Sequence, residues 1–144
     1  MSQYSDLMED LVFRGMLSGD DGKPQLGRSA KSLGVRVPAD IKPDAAGDVH
    51  PGTGGMSVSP DSSLNVPNHR RPKAMGHGST GPDDLGMYAI AKVRVSIGNL
   101  TLRPDPRRAT KHAFVEPNQV MPLMHYEGAL GSTRDDWRKI WPMT

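Results

Sequence analysis

The stretch Val49-His50-Pro51-Gly52-Thr53-Gly54-Gly55-Met56-Ser57-Val58-Ser59-Pro60 places three glycines within four positions, ahead of a short Ser-Val-Ser run. Glycines at this density let the backbone adopt positive φ and approach another group closely. In an extended strand, alternation then puts Ser57 and Ser59 on one face and Val58 on the other. The pattern predicts a glycine loop that leads into a strand. It suits either a cradle for a polar ligand or a tight turn with solvated serines.

The composition of the chain limits its fold and its partners. The 144 residues predict one domain spanning residues 1–144. The 16 glycines and 13 prolines favour short strands and long ordered loops over a helical bundle. The 18 basic and 16 acidic residues leave a net charge of +2, which does not indicate a nucleic-acid partner. Cysteine is absent, which excludes disulfides, a thiolate nucleophile and cysteine metal sites.

Signals for export, for membrane insertion and for metal binding are also missing from the sequence. Met1 to Asp10 has neither a basic stretch nor an apolar run, so no signal peptide is expected. No segment reaches the ~18 apolar residues that a membrane-spanning helix needs. The histidines show neither a His-x₃-His nor a His-Glu-x-x-His spacing, so we predict no metal site. We therefore expect a cytoplasmic protein that makes no membrane contact.

Strands are predicted on both sides of the glycine-rich stretch. Upstream, the sequence fits two alternatives, because Leu7, Met8, Leu11 and Val12 have helical spacing, whereas Leu11-Val12-Phe13 suits a strand that carries Arg14. Downstream, residues 87–102 are rich in β-formers, and Gly98-Asn99 has the composition of a hairpin turn. Ala113-Phe114-Val115 predicts a further short strand.

Helices are predicted to be short, except near the C-terminus. Apolar residues recur with helical spacing from Met121 to Trp141, and Gly131 marks a weak point of this helix. Residues 29–33 suit one or two helical turns, and residues 60–84 form a long irregular stretch that is typical of a functional or disordered loop. Together the elements predict an α+β domain with short helices around a small, mostly antiparallel sheet.

The order of the polar residues suits recognition of a pyrophosphate and a ribose. Arg14 presents a fork of donors that matches a pyrophosphate. Ser57 and Ser59 suit the orientation of a ribose or the support of the arginine. Glu116, on the late strand, suits a ribose hydroxyl and the positive charge of an oxocarbenium-like transition state.

This arginine–serine–glutamate order resembles the pattern of ADP-ribosyltransferases. More closely, the chain resembles the NAD-dependent type VI secretion effector toxins of pseudomonads with an ADP-ribosyltransferase-like fold. The resemblance extends over about residues 11–137 in short pieces, which are Phe13-Arg14, Thr53-Gly54-Gly55-Met56-Ser57-Val58, Leu100-Thr101-Leu102-Arg103, His112 through Pro117, Met121, Leu130 and Trp137.

The resemblance implies a single compact α+β domain with a split β-sheet core, short flanking helices and a C-terminal helix. It also implies an antibacterial toxin that transfers ADP-ribose from NAD to an unknown macromolecule in the bacterial cytoplasm, and that a cognate immunity protein blocks. It assigns catalysis to Arg14, Ser57, His112 and Glu116, and NAD binding to Arg14, Thr53, Gly54, Gly55, Ser57 and Ser59. One departure is Phe114, where arginine- or asparagine-directed transferases carry an acidic residue or glutamine.

Several alternatives stay open at this point. NAD hydrolysis without an acceptor, RNA 2′-phosphate transfer to NAD, and an inert module that docks a partner through residues 60–84 are the rival functions. A structural Arg14 would instead pair with Glu9 or Asp10. His69-Arg70-Arg71 is either a phosphate or partner contact or a solvated loop, and the basic run from Arg103 to Lys111 fits an exposed turn.

Overall fold

The computed structural model describes residues 10–142, which contain eight β-strands and one α-helix. The strands are β1 (Leu11–Leu17), β2 (Asp48–Val49), β3 (Met56–Pro60), β4 (Leu85–Ala91), β5 (Leu100–Pro104), β6 (Ala113–Pro117), β7 (Met121–Pro122) and β8 (Arg138–Trp141). The helix, α1, spans Leu123–Gly131. Short 3₁₀ turns at Ser63–Asn65, Asn68–Arg70, Lys73–Met75, Lys92–Val95 and Arg134–Asp136 complete the secondary structure of these residues.

The strands form two antiparallel sheets. Six strands in the order β5-β6-β3-β1-β4-β8 build the main sheet, and β2 pairs with β7 in a small second one. The helix α1 follows β7 directly. The prediction of a single α+β domain with an antiparallel sheet and a C-terminal helix is confirmed.

The main sheet has one strongly apolar face. Val12 and Met16 of β1 point to it, because every second side chain along a strand lies on the same face. The helix α1 packs Tyr126 and Leu130 into the same cluster, and both side chains are fully buried. Removal of this apolar surface from water is the main force that holds the helix on the sheet.

The opposite face of the main sheet is covered by the long segment between β3 and β4. Phe13 of β1 and Met87 of β4 pack there against Val66 of this segment. The segment approaches β1 so closely that a Cβ on Gly15 would lie 2.1 Å from the carbonyl oxygen of Arg70. Residues 60–84 therefore form an ordered layer over the sheet, and glycine at position 15 makes room for it.

The strand β3 divides its pairing between two neighbours. Its first three residues, Met56 to Val58, pair with β6, whereas Ser59 and Pro60 pair with β1. The strands β1 and β3 therefore separate beside Ser57, and a gap opens between them at that point.

The predicted hairpin at Gly98-Asn99 is wrong. The strand β4 pairs with β1 and β8, while β5 lies at the far edge of the sheet and pairs with β6. The chain leaves β4 through the 3₁₀ turn Lys92–Val95, whose Val95 is buried in the main core. The richness in β-formers located both strands, but it carries no information about their partners.

The predicted C-terminal helix is correct in its first half and wrong beyond Gly131. The helix α1 stops there, and Arg138–Trp141 instead forms β8 on the open edge of β4. Residues 29–33 form turns and bends and not the expected helical turns. The C-terminal residues satisfy their backbone hydrogen bonds by pairing with β4, and this pairing replaces the hydrogen bonds that a longer helix would have formed.

Within residues 10–142, no helix has the length and apolar character that crossing a membrane requires. Glu9, one expected alternative partner of Arg14, lies outside the described residues, as does nearly all of the stretch from Met1 to Asp10.

Candidate functional site

A crevice of about 220 Å³ lies at the gap between β1 and β3. Its walls come from these two strands, from residues 30–40, from the segment over the second face of the sheet, and from the turn between β5 and β6. The crevice is lined by Arg14, Ser57, Ser59 and His112, four of the residues to which the resemblance assigns catalysis or NAD binding, and also by His69, Arg70 and Arg108 of the two basic stretches. Residues distant in sequence thus meet where the sheet divides.

Arg14 bridges the gap from β1. Its Nη1 donates to the carbonyl of Ser57 at 2.8 Å, and its Nε and Nη2 donate to the carbonyl of Ser32 at 3.1 and 2.9 Å. Burial lowers the pKa of Arg14 to about 10, so the guanidinium stays charged at neutral pH. Arg14 makes no ion pair within residues 10–142, and so its positive charge is not neutralised directly. Arg14 therefore connects the two walls and contributes positive charge to the crevice, while its Nε, Nη1 and Nη2 donate to backbone carbonyls of the protein.

The hydroxyls of Ser57 and Ser59 lie on one face of β3, as alternation predicted. Ser57 is half-buried and Ser59 is only 2% exposed. Within residues 10–142 neither hydroxyl has a hydrogen-bond partner, whereas the carbonyl of Ser57 accepts from Arg14. Both hydroxyls are therefore available to a polar ligand in the crevice.

The lining of the crevice is strongly cationic. Arg70 lines it from the segment after β3, and Arg108 lines it from the turn after β5. Arg36 is a third guanidinium in the lining, but its Nη2 and Nε bind the carboxylate of Asp40 at 2.8 and 3.2 Å. Asp40 is the only carboxylate among the described lining residues, so positive charge remains in excess. Such a crevice attracts an anionic ligand.

His112 is held in the crevice by a buried carboxylate. Its Nδ1 lies 2.7 Å from Oδ2 of Asp105, which is 1% exposed. The hydrogen bond from His112 is the main reason that the pKa of Asp105 falls to about 2. The ring of His112 also meets the ring of Phe114 edge-on, with centroids 4.7 Å apart. The histidine is thus fixed from two sides.

Glu116 does not join the other predicted catalytic residues at the crevice. It is buried, and its Oε2 accepts from Nε of Arg103 at 2.8 Å and from the backbone N–H of Gly52 at 3.1 Å. Its carboxylate therefore neutralises a neighbouring strand residue and anchors the glycine loop. These contacts give Glu116 a structural role and place it outside the crevice lining, while its catalytic role stays a prediction.

The residues Thr53, Gly54 and Gly55 do not line the crevice either. The hydroxyl of Thr53 donates to the carbonyl of His50 at 2.7 Å. A Cβ on Gly54 would lie 2.1 Å from the carbonyl oxygen of Asp40, and Gly54 has a φ of +131° that favours glycine. The glycines thus permit a close approach of the protein's own backbone. The backbone N–H of Gly55 also donates to the carbonyl of Asp40 at 3.0 Å.

A second groove of about 210 Å³ adjoins the crevice. The two share Val66, Pro67, Arg108 and His112, and the groove adds Lys111. The crevice alone is smaller than the ~300–1,000 Å³ of most small-molecule sites. A ligand larger than the crevice would therefore extend into the groove.

Sequence reasoning missed Asp105 and the Arg36–Asp40 pair. Asp105 stands in an Arg-Pro-Asp-Pro-Arg run that resembles a plain surface turn, and no spacing rule links it to His112. Arg36 and Asp40 have the i, i+4 spacing of an ion pair, which was the one available signal. Their place at the crevice follows only from the path of residues 30–40.

Comparison of the chain with protein-family models, with curated proteins and with solved structures found no match. Within residues 10–142 no group of three or more histidine, aspartate or glutamate side chains is arranged to hold a metal ion.

Proposed function

We propose that the protein binds NAD at the crevice and transfers ADP-ribose to a macromolecule. The observation that carries this proposal is the meeting of Arg14, Ser57 and Ser59 at one cationic crevice beside the division of the sheet. That division also supports an ADP-ribosyltransferase-like split sheet. Together these features agree with the order of residues on which the family resemblance was based.

The charges of the crevice suit the pyrophosphate of a dinucleotide. Arg70 and Arg108 line it without an ion pair among the described residues, so their donors are free for phosphate oxygens. Arg14 adds a third charge that the protein itself holds in place. The hydroxyls of Ser57 and Ser59 would then take polar groups of the adjoining ribose.

The reaction needs little covalent help from the protein. The bond between C1′ of the ribose and the nicotinamide nitrogen breaks, and its electron pair neutralises the positive charge of the ring. A nucleophile on the acceptor then forms the new bond to C1′ and loses a proton. The site has to orient the two halves of NAD and keep the nucleophile in line, which is where most of the rate enhancement would arise.

We further propose that the protein acts as an antibacterial toxin in the cytoplasm of a target cell and that a cognate immunity protein neutralises it. This part of the proposal depends on the resemblance to type VI secretion effectors. The shape of the site adds one argument, because a partner that covers the crevice and the adjoining groove would block NAD.

The decisive variant is Ser57→Ala and not a substitution of Arg14. Arg14 holds the walls of the gap, so its removal would affect folding and activity together. Ser57 gives Arg14 only its backbone carbonyl, so alanine keeps that bond and removes only the hydroxyl. Ser96→Ala is the matched control, because Ser96 is exposed and lies outside the crevice lining.

The test measures NAD binding by calorimetry, nicotinamide release by the purified protein, and growth arrest on expression in bacteria. We expect all three for the wild type and for Ser96→Ala, and weaker binding and release for Ser57→Ala. Label from adenine-labelled NAD should appear in macromolecules. Free ADP-ribose alone would favour hydrolysis, and absence of both NAD binding and growth arrest would refute the proposal in favour of a partner-binding module.

A second candidate is RNA 2′-phosphate transfer to NAD. It is favoured by the groove that continues from the crevice and carries Arg108 and Lys111, where a phosphate of an RNA would be attracted. Incubation with NAD and a 2′-phosphorylated oligonucleotide distinguishes the two activities. RNA 2′-phosphate transfer removes the 2′-phosphate from the oligonucleotide, whereas ADP-ribosylation of a protein leaves it in place.

A further inference from the structure

We infer that Asp105 is a positioning residue, which holds His112 so that its Nε2 accepts the proton of the attacking nucleophile. This inference deepens the proposed function and depends on it for the chemical step. The geometry of the pair itself is independent of any ligand.

The side chain of Asp105 is fixed in one orientation. Its Oδ2 meets Nδ1 of His112 at 2.7 Å, and its Oδ1 accepts the backbone N–H of Arg107 at 3.0 Å. The backbone N–H of Asp105 donates to the carbonyl of His112 at 3.0 Å. These contacts close the turn between β5 and β6, so the carboxylate cannot swing away from the ring.

This contact determines which nitrogen of His112 carries the proton. A carboxylate only accepts hydrogen bonds, so Nδ1 of the ring must donate. In the neutral imidazole the other nitrogen, Nε2, then keeps its lone pair. Because His112 lines the crevice while its Nδ1 is committed to Asp105, Nε2 is the nitrogen that a bound substrate would meet.

The proton transfer balances with the bond changes at the ribose. The acceptor's O–H or N–H bond breaks, its proton goes to Nε2 of His112, and the nucleophile's lone pair forms the bond to C1′. The electron pair of the bond between C1′ and nicotinamide leaves with nicotinamide, which departs neutral. The carboxylate of Asp105 stabilises the imidazolium that results.

The other carboxylates are less suited to this role. Asp40 lines the crevice, but Arg36 occupies both of its oxygens. Glu116 is held by Arg103 and Gly52 away from the crevice lining. His69 also lines the crevice, but no carboxylate orients it within residues 10–142. The pair formed by Asp105 and His112 is therefore the best-prepared proton acceptor at the site.

The first test reads the tautomer of His112 directly, without any substrate. Long-range ¹H–¹⁵N spectra of the uniformly labelled protein, at a pH where the ring is neutral, should show Nδ1 protonated and Nε2 bare. Asp105→Asn keeps an acceptor for the N–H of Arg107 but removes the charge, and it should shift the ring toward a mixture of tautomers. A wild type with Nε2 protonated, or identical spectra for the two proteins, would overturn the inference.

The second test follows nicotinamide release. We expect Asp105→Asn and His112→Ala to lower kcat by about 10²-fold, within the ~10²–10⁴-fold range of general acid–base catalysis, with KM for NAD little changed. Added imidazole should restore part of the activity of His112→Ala, which a purely structural role does not predict. Asp20→Asn, a change at an exposed turn, is the matched control.

The outcomes separate this inference from the proposed function. A wild type that neither binds nor turns over NAD refutes the proposed function, and the chemical step falls with it. An active wild type with full kcat in Asp105→Asn, or with no imidazole rescue of His112→Ala, overturns the inference alone. If Asp105→Asn fails to fold, the wild-type tautomer and the imidazole rescue still decide the matter.

Discussion

Replacing Tyr126 by phenylalanine should destabilise the fold by about 2–4 kcal/mol through the loss of one oxygen atom. The hydroxyl of Tyr126 donates to the carbonyl of Val115 and accepts the backbone N–H of Met56 at 3.1 Å. It thus joins α1 to the first residue of β3, directly before Ser57, and to the middle of β6. The residue is completely buried, so water cannot replace the hydroxyl.

The magnitude follows from the groups that lose their partner. The variant removes the hydroxyl from one buried N–H and one buried C=O, and at the lower half of the range of about 1–3 kcal/mol for each group the sum is about 2–4 kcal/mol. The apolar area of the ring is unchanged, so no cavity term is added. At about 3 °C per kcal/mol for a domain of this size, Tm should fall by roughly 6–12 °C.

Urea unfolding followed by tryptophan fluorescence measures this change, and Tyr88→Phe is the matched control. The ring of Tyr88 is buried as well, but its hydroxyl bonds Ser18 at 2.6 Å and the carbonyl of Gly22 at 2.9 Å, and these two partners lie at partly or fully exposed positions where water can replace the hydroxyl. We expect a loss below about 1 kcal/mol for this control. Equal losses in both variants, or a Tyr126→Phe protein within about 0.5 kcal/mol of the wild type, would refute the reasoning.

Three further predictions concern the crevice and its surroundings. Gly15→Ala should destabilise the protein by about 1–3 kcal/mol in denaturant titrations, because its Cβ would lie 2.1 Å from the carbonyl oxygen of Arg70. Gly86→Ala is the comparison variant on a neighbouring strand, where only side-chain atoms would have to move. Arg70→Ser should weaken NAD binding roughly tenfold in calorimetry at low salt, since it removes one charged hydrogen bond, and an unchanged affinity would exclude Arg70 from the phosphate site. The pKa of Asp105 is lowered from 3.8 to about 2, so its stabilising effect is complete above about pH 4 and is lost as the pH falls toward 2. Asp105→Asn should therefore flatten the acid-unfolding curve monitored by fluorescence between pH 4 and 2, and an unchanged slope would contradict that assignment.

Part of the candidate site was accessible from sequence because strand periodicity is local. The alternation in Ser57-Val58-Ser59 correctly placed both hydroxyls on one face of a strand, and of the two alternatives for the apolar run before Arg14 the strand is the one that forms. A charged residue within a buried strand indicates a specialised environment, since an unpaired buried charge is costly. Arg14, Ser57 and Ser59 reach the same crevice only because β1 pairs with β3, which the sequence does not show.

Other predictions depended on long-range contacts, and the structure places the residues concerned outside the crevice lining. Glu116 has a residue type and strand position that suit catalysis, yet Arg103 on the adjacent strand withdraws its carboxylate. The glycines at 54 and 55 were expected to admit a ligand, but the backbone of Asp40 and Val115 fills the space. Sequence spacing cannot show which of several partners a flexible loop or a carboxylate will find.

The sequence by itself located the strand after the glycine loop, the strands within residues 87–102 and at Ala113-Phe114-Val115, the start of the helix to within two residues, and the residue types available for chemistry. These properties depend on backbone conformation and on side-chain alternation over a few residues. The tertiary structure alone decided that β3 divides between β1 and β6, that Asp105 orients His112, and that the cations of three separate segments share one crevice. Such features arise from contacts between residues far apart in the chain, whose free energy depends on the whole packed domain and not on any short stretch of it.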